Sequence, residues 1–591
     1  MPVSFSLSNF KSFKELDFVT LNPLTVICGT NNSGKSSLIQ SLLLMKSNIE
    51  NTKGALNTYN NEPLFFNGRY ANLGSYVDVV HHHSQEEIKF AWRVSNKVQE
   101  VKENVGHQPI DSEISIEISS INEINHQEET VINKFCFQDY NLNSSFEIIR
   151  NQKSFSLILK NISLEDLLLR LIYSRFSSYG NTYYDPSYTT MISELIKKFS
   201  STKFFQEGYV EEVNFSEVQV EFEGVFPNQI LISNFVEQCR TILQQIINKW
   251  SCSEVIIPKY LLIFIETTID DLDSYLRKND SRKDKSLISN SDEERKIDVS
   301  VLLAESKDKY PYFSNNRKFY LLDEYISYHS SVLFIRKYWS GFRYISPIRE
   351  APKRLYLFDD LRKINIGVNG EYTPLVLAVE QEIVIPKYYR CIYEGKQVSH
   401  YELREQDKLL ESVNWWLFDF MKLPQINSVV GFRGVINQIK LHSSGVEVDL
   451  PDVGFGVSQI LPIIVECLRT PPGETIILEQ PEIHLYPSLQ SKLADFFICM
   501  AKSGKNLVIE THSEYFINRL CLRIAQEDKS EIKNLTNVLF ISFDERSQSS
   551  VSKPIEINKY GEIENWPAGF FDENDSRELL AATLKKRMLD P

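Results

Sequence analysis

A glycine-rich loop between a strand and a helix constrains this chain more than any other feature. The apolar run Leu24–Cys28 predicts a buried strand, and the periodic Leu38, Ile39, Leu42 and Leu43 predict a helix beyond the loop. Backbone amides of such a loop wrap phosphate groups at the helix N-terminus. The residues expected to bind nucleotide are Gly29, Asn31, Asn32, Ser33, Gly34, Lys35, Ser36 and Ser37. Lys35 should reach the terminal phosphates, and Ser36 should supply a hydroxyl to Mg²⁺.

Two further apolar strands end in polar residues. Thr475 to Leu478 leads into Glu479, Gln480, Pro481 and Glu482, and Leu507 to Ile509 leads towards His512. A helical face lies between them, so strand, helix and strand should place Glu479 and His512 on neighbouring strand tips. Glu479 is expected in the Mg²⁺ shell, and His512 is expected to sense the γ-phosphate. Taken singly, each strand also fits a buried strand with a charged exit, and the histidine fits a structural role.

A second glycine-rich segment precedes the apolar helix that begins near Ile460. Gly454, Gly456 and Ser458 at a helix N-terminus predict another anion-binding surface. A plain turn is the alternative interpretation of this short pattern.

Taken together, these motifs resemble the ABC-type ATPase heads of the RecF, SMC and OLD-like group. The opening Asn9-Phe-Lys-Ser-Phe13 belongs to the same pattern. More narrowly, the chain resembles a bacterial family of predicted ATPases with an uncharacterised C-terminal domain, often found in phage-defence gene clusters. The segments that carry this likeness are Tyr344 to Arg349, Glu482 to Pro487 and Trp566 to Asp572. The resemblance covers about residues 1–80 and 340–591.

The resemblance implies a site shared by two chains. In such heads two subunits sandwich ATP, so Gly454, Gly456 and Ser458 would contact the γ-phosphate bound by the partner. The expected ligands are ATP and Mg²⁺, with Ser36 and Glu479 at the metal. The candidate catalytic residues are Glu479, Gln480, Glu482 and His512.

Two departures from that pattern bear on the chemistry. ABC heads have Asp-Glu where this chain has Glu479-Gln480, and an amide cannot accept a proton. Losing a general base typically costs about 10² to 10⁴ in rate. Either Glu482 or another group substitutes, or hydrolysis is slow. In addition, Asn67 to Asp78 occupies the place of the glutamine loop of such heads without a convincing glutamine.

The predicted fold is α/β, a P-loop ABC-type ATPase head with a mixed sheet flanked by helices and a large, mainly helical insertion. Residues 1–160 are expected to form an N-terminal lobe with the phosphate loop and antiparallel strands. Residues 161–340 would form the insertion, interrupted near Val218 by a strand. Residues 341–545 would form the C-terminal lobe, and 546–591 a family tail ending in a helix over 576–588.

Composition sets further bounds on the function. The net charge of −14 should repel nucleic acid except at a local patch, such as the basic stretch from Arg343 to Lys363, which fits structural ion pairs equally well. Eight cysteines without a CxxC pair indicate a reduced, cytoplasmic chain. No apolar run is long enough to span a membrane. The adjacent His81, His82 and His83 favour a solvated loop over a metal site.

Three functions remain open at this stage. The first is an ATP-dependent switch that forms a homodimer or higher oligomer and acts on a protein effector, a nuclease or toxin encoded nearby, in anti-phage defence or DNA surveillance. The second is a self-contained OLD-like nuclease, for which the tail offers only Asp544-Glu545 and Asp572-Glu573. The third is the nucleotide-binding subunit of a transporter, which the large insertion argues against.

Overall fold

The computed structural model divides the chain into two units. It describes residues 3–52, 64–84, 86–95, 110–122, 128–141, 144–151, 154–163, 209–223, 225–233, 238, 241, 296–298, 320–357, 365–395, 397–430, 436–443, 445–527, 529–565 and 567. The phosphate-loop unit comprises residues 2–51, 66–84 and 336–591. The meander unit comprises residues 52–65 and 85–335, together with residue 1.

The first elements of the phosphate-loop unit surround the glycine loop. They are β1 (Val3–Phe10), β2 (Phe13–Thr20), β3 (Leu24–Gly29), α1 (Lys35–Thr52) and α2 (Tyr76–Val79). Strands β1 and β2 form an antiparallel hairpin. The expected order of strand, glycine loop and helix is confirmed, because α1 begins at Lys35, directly after the loop.

The meander unit follows the alternating pattern of its sequence. Its elements are β4 (Ile88–Ser95), β5 (Asp111–Asn122), β6 (Glu128–Asp139), β7 (Ser144–Arg150), β8 (Phe155–Ser163), β9 (Tyr209–Glu223), β10 (Phe226–Ser233), β11 (Lys296–Asp298) and α3 (Tyr320–Ser340). Strands β4 to β11 pair antiparallel with their sequence neighbours. On α3, the ring of Tyr328 packs edge-on against Phe137 and Phe146, and its hydroxyl donates to the carbonyl of Pro227 at 2.8 Å.

The structure extends one expectation for this region and leaves another untested. The antiparallel strands predicted before residue 160 are confirmed as β4 to β8. The interruption expected near Val218 is a pair of long strands, β9 and β10, rather than a single short one. Most of the predicted helices of residues 161–340 lie outside the described residues, although α3 is helical as expected.

The rest of the phosphate-loop unit supplies its core. Its elements are β12 (Phe342–Ile345), β13 (Tyr356–Leu357), α4 (Thr373–Glu380), β14 (Val384–Glu394), β15 (Gln397–Lys408), α5 (Leu409–Asn414), β16 (Gln425–Val430), β17 (Ile436–Ser443), β18 (Val446–Asp449), α6 (Phe455–Arg469), β19 (Thr475–Glu479), α7 (Pro487–Lys502), β20 (Asn506–Glu510), α8 (Glu514–Gln526), α9 (Glu531–Leu535), β21 (Thr536–Asp544) and β22 (Ser549–Ile555). A π-helical turn, Trp415–Phe420, continues α5.

A six-stranded sheet organises this unit. Its order is β12, β19, β20, β3, β21 and β22. All neighbouring pairs are parallel except β21 with β22. The first four residues of β19 and the last four of β20 are buried, as expected for strands covered by helices on both faces. The carboxyl ends of β3, β19 and β20 therefore meet at one edge of the sheet.

The helices that cover this sheet bury long apolar faces. In α6, every residue from Val457 to Leu468 is buried, and in α7 the buried run extends from Leu493 to Ala501. Among the described helices, none combines the length and apolar character that crossing a membrane requires. The helix predicted over 576–588 lies outside the described residues.

Candidate nucleotide site

The glycine loop is held in shape by contacts that only glycine permits. Gly29 has a φ of 149°, and a Cβ there would lie 2.0 Å from the carbonyl oxygen of Ile541. Gly34 has a φ of 102°, and a Cβ there would lie 2.3 Å from the Ser550 hydroxyl and 2.4 Å from the Ser12 hydroxyl. The loop therefore rests directly on β21, β22 and the turn between β1 and β2, with its backbone free to approach a ligand.

Lys35 lies at the centre of the loop. Its Nζ donates to the carbonyls of Gly29 at 3.1 Å and Thr30 at 2.6 Å. Burial lowers the pKa of Lys35, and the neighbouring Glu510 opposes that shift. Ser33 is buried, and Ser37 accepts a hydrogen bond from the Ser12 hydroxyl at 3.2 Å. The residues of the loop that are exposed are Thr30, Asn31, Asn32 and Ser36.

The acidic strand tips lie beside this loop. Strand β20 pairs with both β19 and β3, and Glu479 is in register with Glu510, which is in register with Ile27. His512 follows two residues after Glu510. The prediction that strand, helix and strand bring Glu479 and His512 to neighbouring tips is therefore confirmed.

The sequence reasoning missed Glu510 as a site residue. Its side chain is buried, one of its oxygens has no partner among the described residues, and it lies beside Glu479 on the neighbouring strand. Burial and the charge of Glu479 raise the pKa of Glu510 to about 7, against the opposing effect of Lys35. The available signal was a glutamate at the end of an apolar strand, in the same relation to β20 as Glu479 to β19.

The turn after β19 is strained and closely bonded. Gln480 has a φ of 44°, in the left-handed region, and its N–H donates to the carbonyl of Glu510 at 2.8 Å. Glu482 accepts a hydrogen bond from the N–H of His512 at 2.7 Å, while its second oxygen has no partner among the described residues. Burial raises the pKa of Glu482. Partial burial and the charge of Lys35 lower the pKa of His512, which therefore favours the neutral imidazole.

The second glycine segment lies against the turn that follows Glu482. Gly454 caps α6, and a Cβ there would meet no atom within 4 Å. A Cβ on Gly456 would lie 3.4 Å from the carbonyl oxygen of His484, and the rings of Phe455 and His484 meet edge-on at 5.1 Å. Ser458 is buried and donates to the carbonyl of Phe455 at 2.7 Å. Residues 454–458, called the signature segment below, are therefore in direct contact with residues 480–484, called the acidic turn.

The basic stretch is largely occupied by ion pairs. Arg343 bonds Glu466 at 2.7 Å and Glu474 at 3.0 Å. Arg354 bonds both Asp449 and Asp452, at 2.9 Å and 2.6 Å. Arg362 and Lys363 lie outside the described residues. The structural interpretation is thus supported for Arg343 and Arg354, whereas Arg349 in the same stretch bonds two backbone carbonyls instead of a carboxylate.

The three adjacent histidines form a turn rather than a convergent metal site. Their ring nitrogens contact the backbone carbonyls of Lys11, Gln548 and Val77, respectively, at 2.6 to 2.8 Å. Among the described residues, no group of three or more histidine, cysteine, aspartate or glutamate side chains is arranged so that it could hold a metal ion by itself.

The chemistry of the loop and of the strand tips fits ATP with Mg²⁺. The glycine loop, Lys35 and the N-terminus of α1 supply backbone amides and positive charge for phosphates. Ser36 and Glu479 could supply oxygen ligands, and Glu482 and Glu510 each keep a carboxylate oxygen without a partner among the described residues. Oxygen donors are those that Mg²⁺ prefers, with substrate phosphates completing its shell.

A phosphate loop facing acidic tips of parallel strands defines a P-loop ATPase. The chain belongs to the AAA ATPase domain family, whose model matches residues 1–517. A second model, described as a protein of unknown function, matches residues 534–579. None of the curated proteins matches the sequence. This membership confirms the predicted ATPase, and the six-stranded sheet with its covering helices confirms the predicted mixed α/β fold.

Solved structures similar to the chain are SMC heads. An Smc head bound to the C-winged helix domain of ScpA has 9% identity and a TM-score of 0.33, over 94% of this chain and 98% of that one. An Smc head with a coiled coil and joint from Pyrococcus yayanosii has 10% identity and a TM-score of 0.31, over 95% and 98%. The SMC head domain from Thermotoga maritima has 8% identity and a TM-score of 0.30, over 94% and 100%.

Proposed function

We propose that this ATPase is a regulatory switch that acts in the cytoplasm. Two copies pair around ATP, hydrolyse it slowly, and pass the paired state to a partner effector. The observation that carries the proposal is the exposed apolar surface formed by the signature segment and the acidic turn. A role in anti-phage defence or DNA surveillance is part of the proposal and rests on the family resemblance alone.

The surface at the signature segment has the character of an interface. Phe455 is 45% exposed, Tyr486 is 75% exposed and Ile348 is 80% exposed, and each lies on a segment that contacts or continues the acidic turn. Exposed apolar side chains that are grouped mark interaction surfaces. Gly454 leaves open space above the N-terminus of α6. A second head would cover these side chains and bring its own phosphate loop to that helix end, where backbone amides favour an anion.

The chemistry of the strand tips supports slow hydrolysis. Lys35 would bind the terminal phosphates, and Ser36 and Glu479 would hold Mg²⁺. When bound, the metal withdraws charge from the phosphates and orients them for attack. Gln480 cannot take a proton from water, so that role falls to Glu482 or Glu510, which are buried carboxylates on the neighbouring turn and strand. Without a dedicated base, the rate should be about 10² to 10⁴ lower than with one.

The experiment measures oligomeric state against nucleotide. We expect wild-type protein with Mg²⁺ and ATP to sediment as a dimer, and Lys35→Ala to remain monomeric because it lacks the phosphate-binding ammonium. Gly454→Arg should fold, because a Cβ there meets no atom within 4 Å. It should still bind ATP, as a monomer and more weakly than the dimer of the wild type does, and should not hydrolyse it.

A matched control separates the loss of the interface from a general effect of adding a large, charged side chain. Val446→Arg places the same side chain at a residue that is 60% exposed in the β17–β18 hairpin, and it should dimerise like the wild type. Monomeric wild-type protein at saturating ATP, or a Lys35→Ala chain that dimerises with ATP as the wild type does, would rule the switch out.

A further inference from the structure

One short segment holds both the side chain and the backbone of Glu479. Strand β12 pairs parallel with β19, with Tyr344 in register with Ile477. The Tyr344 hydroxyl donates to Oε1 of Glu479 at 2.7 Å. Five residues further on, the Nη2 of Arg349 donates to the carbonyl of Glu479 at 3.0 Å and to that of Gln480 at 3.3 Å. Tyr344 and Arg349 are 135 and 130 residues from Glu479 in sequence.

The burial of Arg349 is not explained by packing alone. The residue is 4% exposed, and its Nε and Nη1 have no hydrogen-bond partner among the described residues. Burial lowers the pKa of Arg349 to about 10, so the group remains charged at neutral pH. The nearby Glu482 carboxyl, which favours that charge, also keeps an oxygen without a partner. A half-satisfied buried charge is unfavourable, so an apolar side chain would serve packing better.

The two carbonyls that Arg349 binds flank Gln480. They belong to the peptide groups on either side of its Cα, and Gln480 has a φ of 44°. A side-chain-bearing residue adopts this left-handed conformation only when its surroundings impose it. The guanidinium therefore restrains both backbone angles of Gln480, and with them the exit of the chain from Glu479.

We propose that Tyr344 and Arg349 are positioning residues for the metal–nucleotide site: Tyr344 orients the Glu479 carboxylate, and Arg349 holds the left-handed turn at Gln480. This inference rests on the function proposed above for Glu479. Outer partners of metal-binding carboxylates fix their orientation, and losing one typically costs about 10- to 100-fold in metal affinity or activity. Both residues act on Glu479 and Gln480 and not on the phosphate loop. The affinity for nucleotide in the absence of metal should therefore not depend on them.

The test separates metal binding from nucleotide binding. Mn²⁺ replaces Mg²⁺ as the probe, and its affinity for the protein–ATP complex is measured by electron paramagnetic resonance. Tyr344→Phe and Arg349→Gln should each weaken Mn²⁺ binding about tenfold and lower kcat by a similar factor. Both should bind a fluorescent ATP analogue in EDTA within twofold of wild type. Arg349→Lys, which keeps one donor group, should fall between Arg349→Gln and wild type.

Two control variants carry the same chemical changes elsewhere. Tyr388→Phe removes a buried hydroxyl that donates to Asp407 at 3.0 Å, and Arg523→Gln removes a buried guanidinium that pairs with Asp495. Arg523→Gln should lower the melting temperature without changing Mn²⁺ affinity in the folded protein. If Arg349→Gln does not fold, Tyr344→Phe decides the matter, because it removes only a hydroxyl.

The outcomes distinguish this inference from the proposed function. If the wild-type protein does not bind ATP, or binds it equally well after Lys35→Ala, the proposed function itself is wrong. If the wild-type protein binds and hydrolyses ATP, and the Tyr344→Phe and Arg349→Gln variants match it in Mn²⁺ affinity and kcat, only the positioning role is wrong. The same follows if their losses merely track melting temperature, as those of Arg523→Gln should.

Discussion

Replacing Glu510 by glutamine should stabilise the nucleotide-free protein at neutral and higher pH. Glu510 is buried, lies beside Glu479, and has a pKa raised to about 7 from its usual value of 4.5. Ionising it in the folded protein is therefore costly. Glutamine has nearly the same shape, can donate to Glu479, and carries no charge at any pH.

The magnitude follows from the difference between the folded and unfolded pKa values. The gap of about 2.5 pH units, 7 minus 4.5, corresponds to about 3 kcal/mol at about 1.4 kcal/mol per unit. Below pH 4.5 both states hold the proton, so Glu510 costs nothing. Between pH 4.5 and 7 the unfolded chain releases the proton while the folded protein keeps it, so stability falls as the pH rises. Above pH 7 the full cost is present.

Thermal unfolding in EDTA at pH 5 and pH 8 measures this effect. The advantage of Glu510→Gln over wild type should grow by about 2.5 kcal/mol between these pH values, which amounts to about 2 to 4 °C in melting temperature. Glu447→Gln, at a glutamate exposed on the β17–β18 hairpin, is the control for the substitution itself. An advantage that is equal at both pH values, or that shrinks as the pH rises, would refute the reasoning.

Two further substitutions test the loop and the core. Gly34→Ala should abolish ATP binding in a fluorescence titration, because its Cβ would lie 2.3 Å from a serine hydroxyl; Gly445→Ala, also at positive φ but with no atom within 4 Å, should bind normally. Equal binding by both would contradict the steric argument. Arg523→Gln should cost about 3 kcal/mol in denaturant unfolding, because it removes the nearest cation from the buried Asp495 carboxylate and leaves it only the Tyr393 hydroxyl and the more distant Arg519, at 3.7 Å. A cost below about 1 kcal/mol, the range of exposed pairs, would contradict the importance of this ion pair.

Local patterns were sufficient to predict the phosphate loop and the neighbouring acidic tips. A phosphate loop is a contiguous segment whose strand, glycines and helix are all visible within about 20 residues. The adjacency of Glu479 and His512 followed from the strand, helix and strand between them, because such crossovers place consecutive parallel strands side by side. The length of β9 was underestimated because its alternation changes phase between Phe215 and Val218, where the strand contains a bulge with Glu217 at a φ of 53°.

The sequence by itself determined which residues can bind phosphate, which strands are buried, and that Gln480 stands where a general base is expected. Only the tertiary structure shows that Tyr344 and Arg349 form hydrogen bonds with Glu479, because these residues are more than a hundred positions apart in the sequence. It also decided that Glu510 joins the site, since the register of β19 with β20 places the two carboxyls side by side. The physical reason is that periodicity specifies which face of a strand is buried, whereas register and burial specify which polar groups share a proton, a charge or a strained turn.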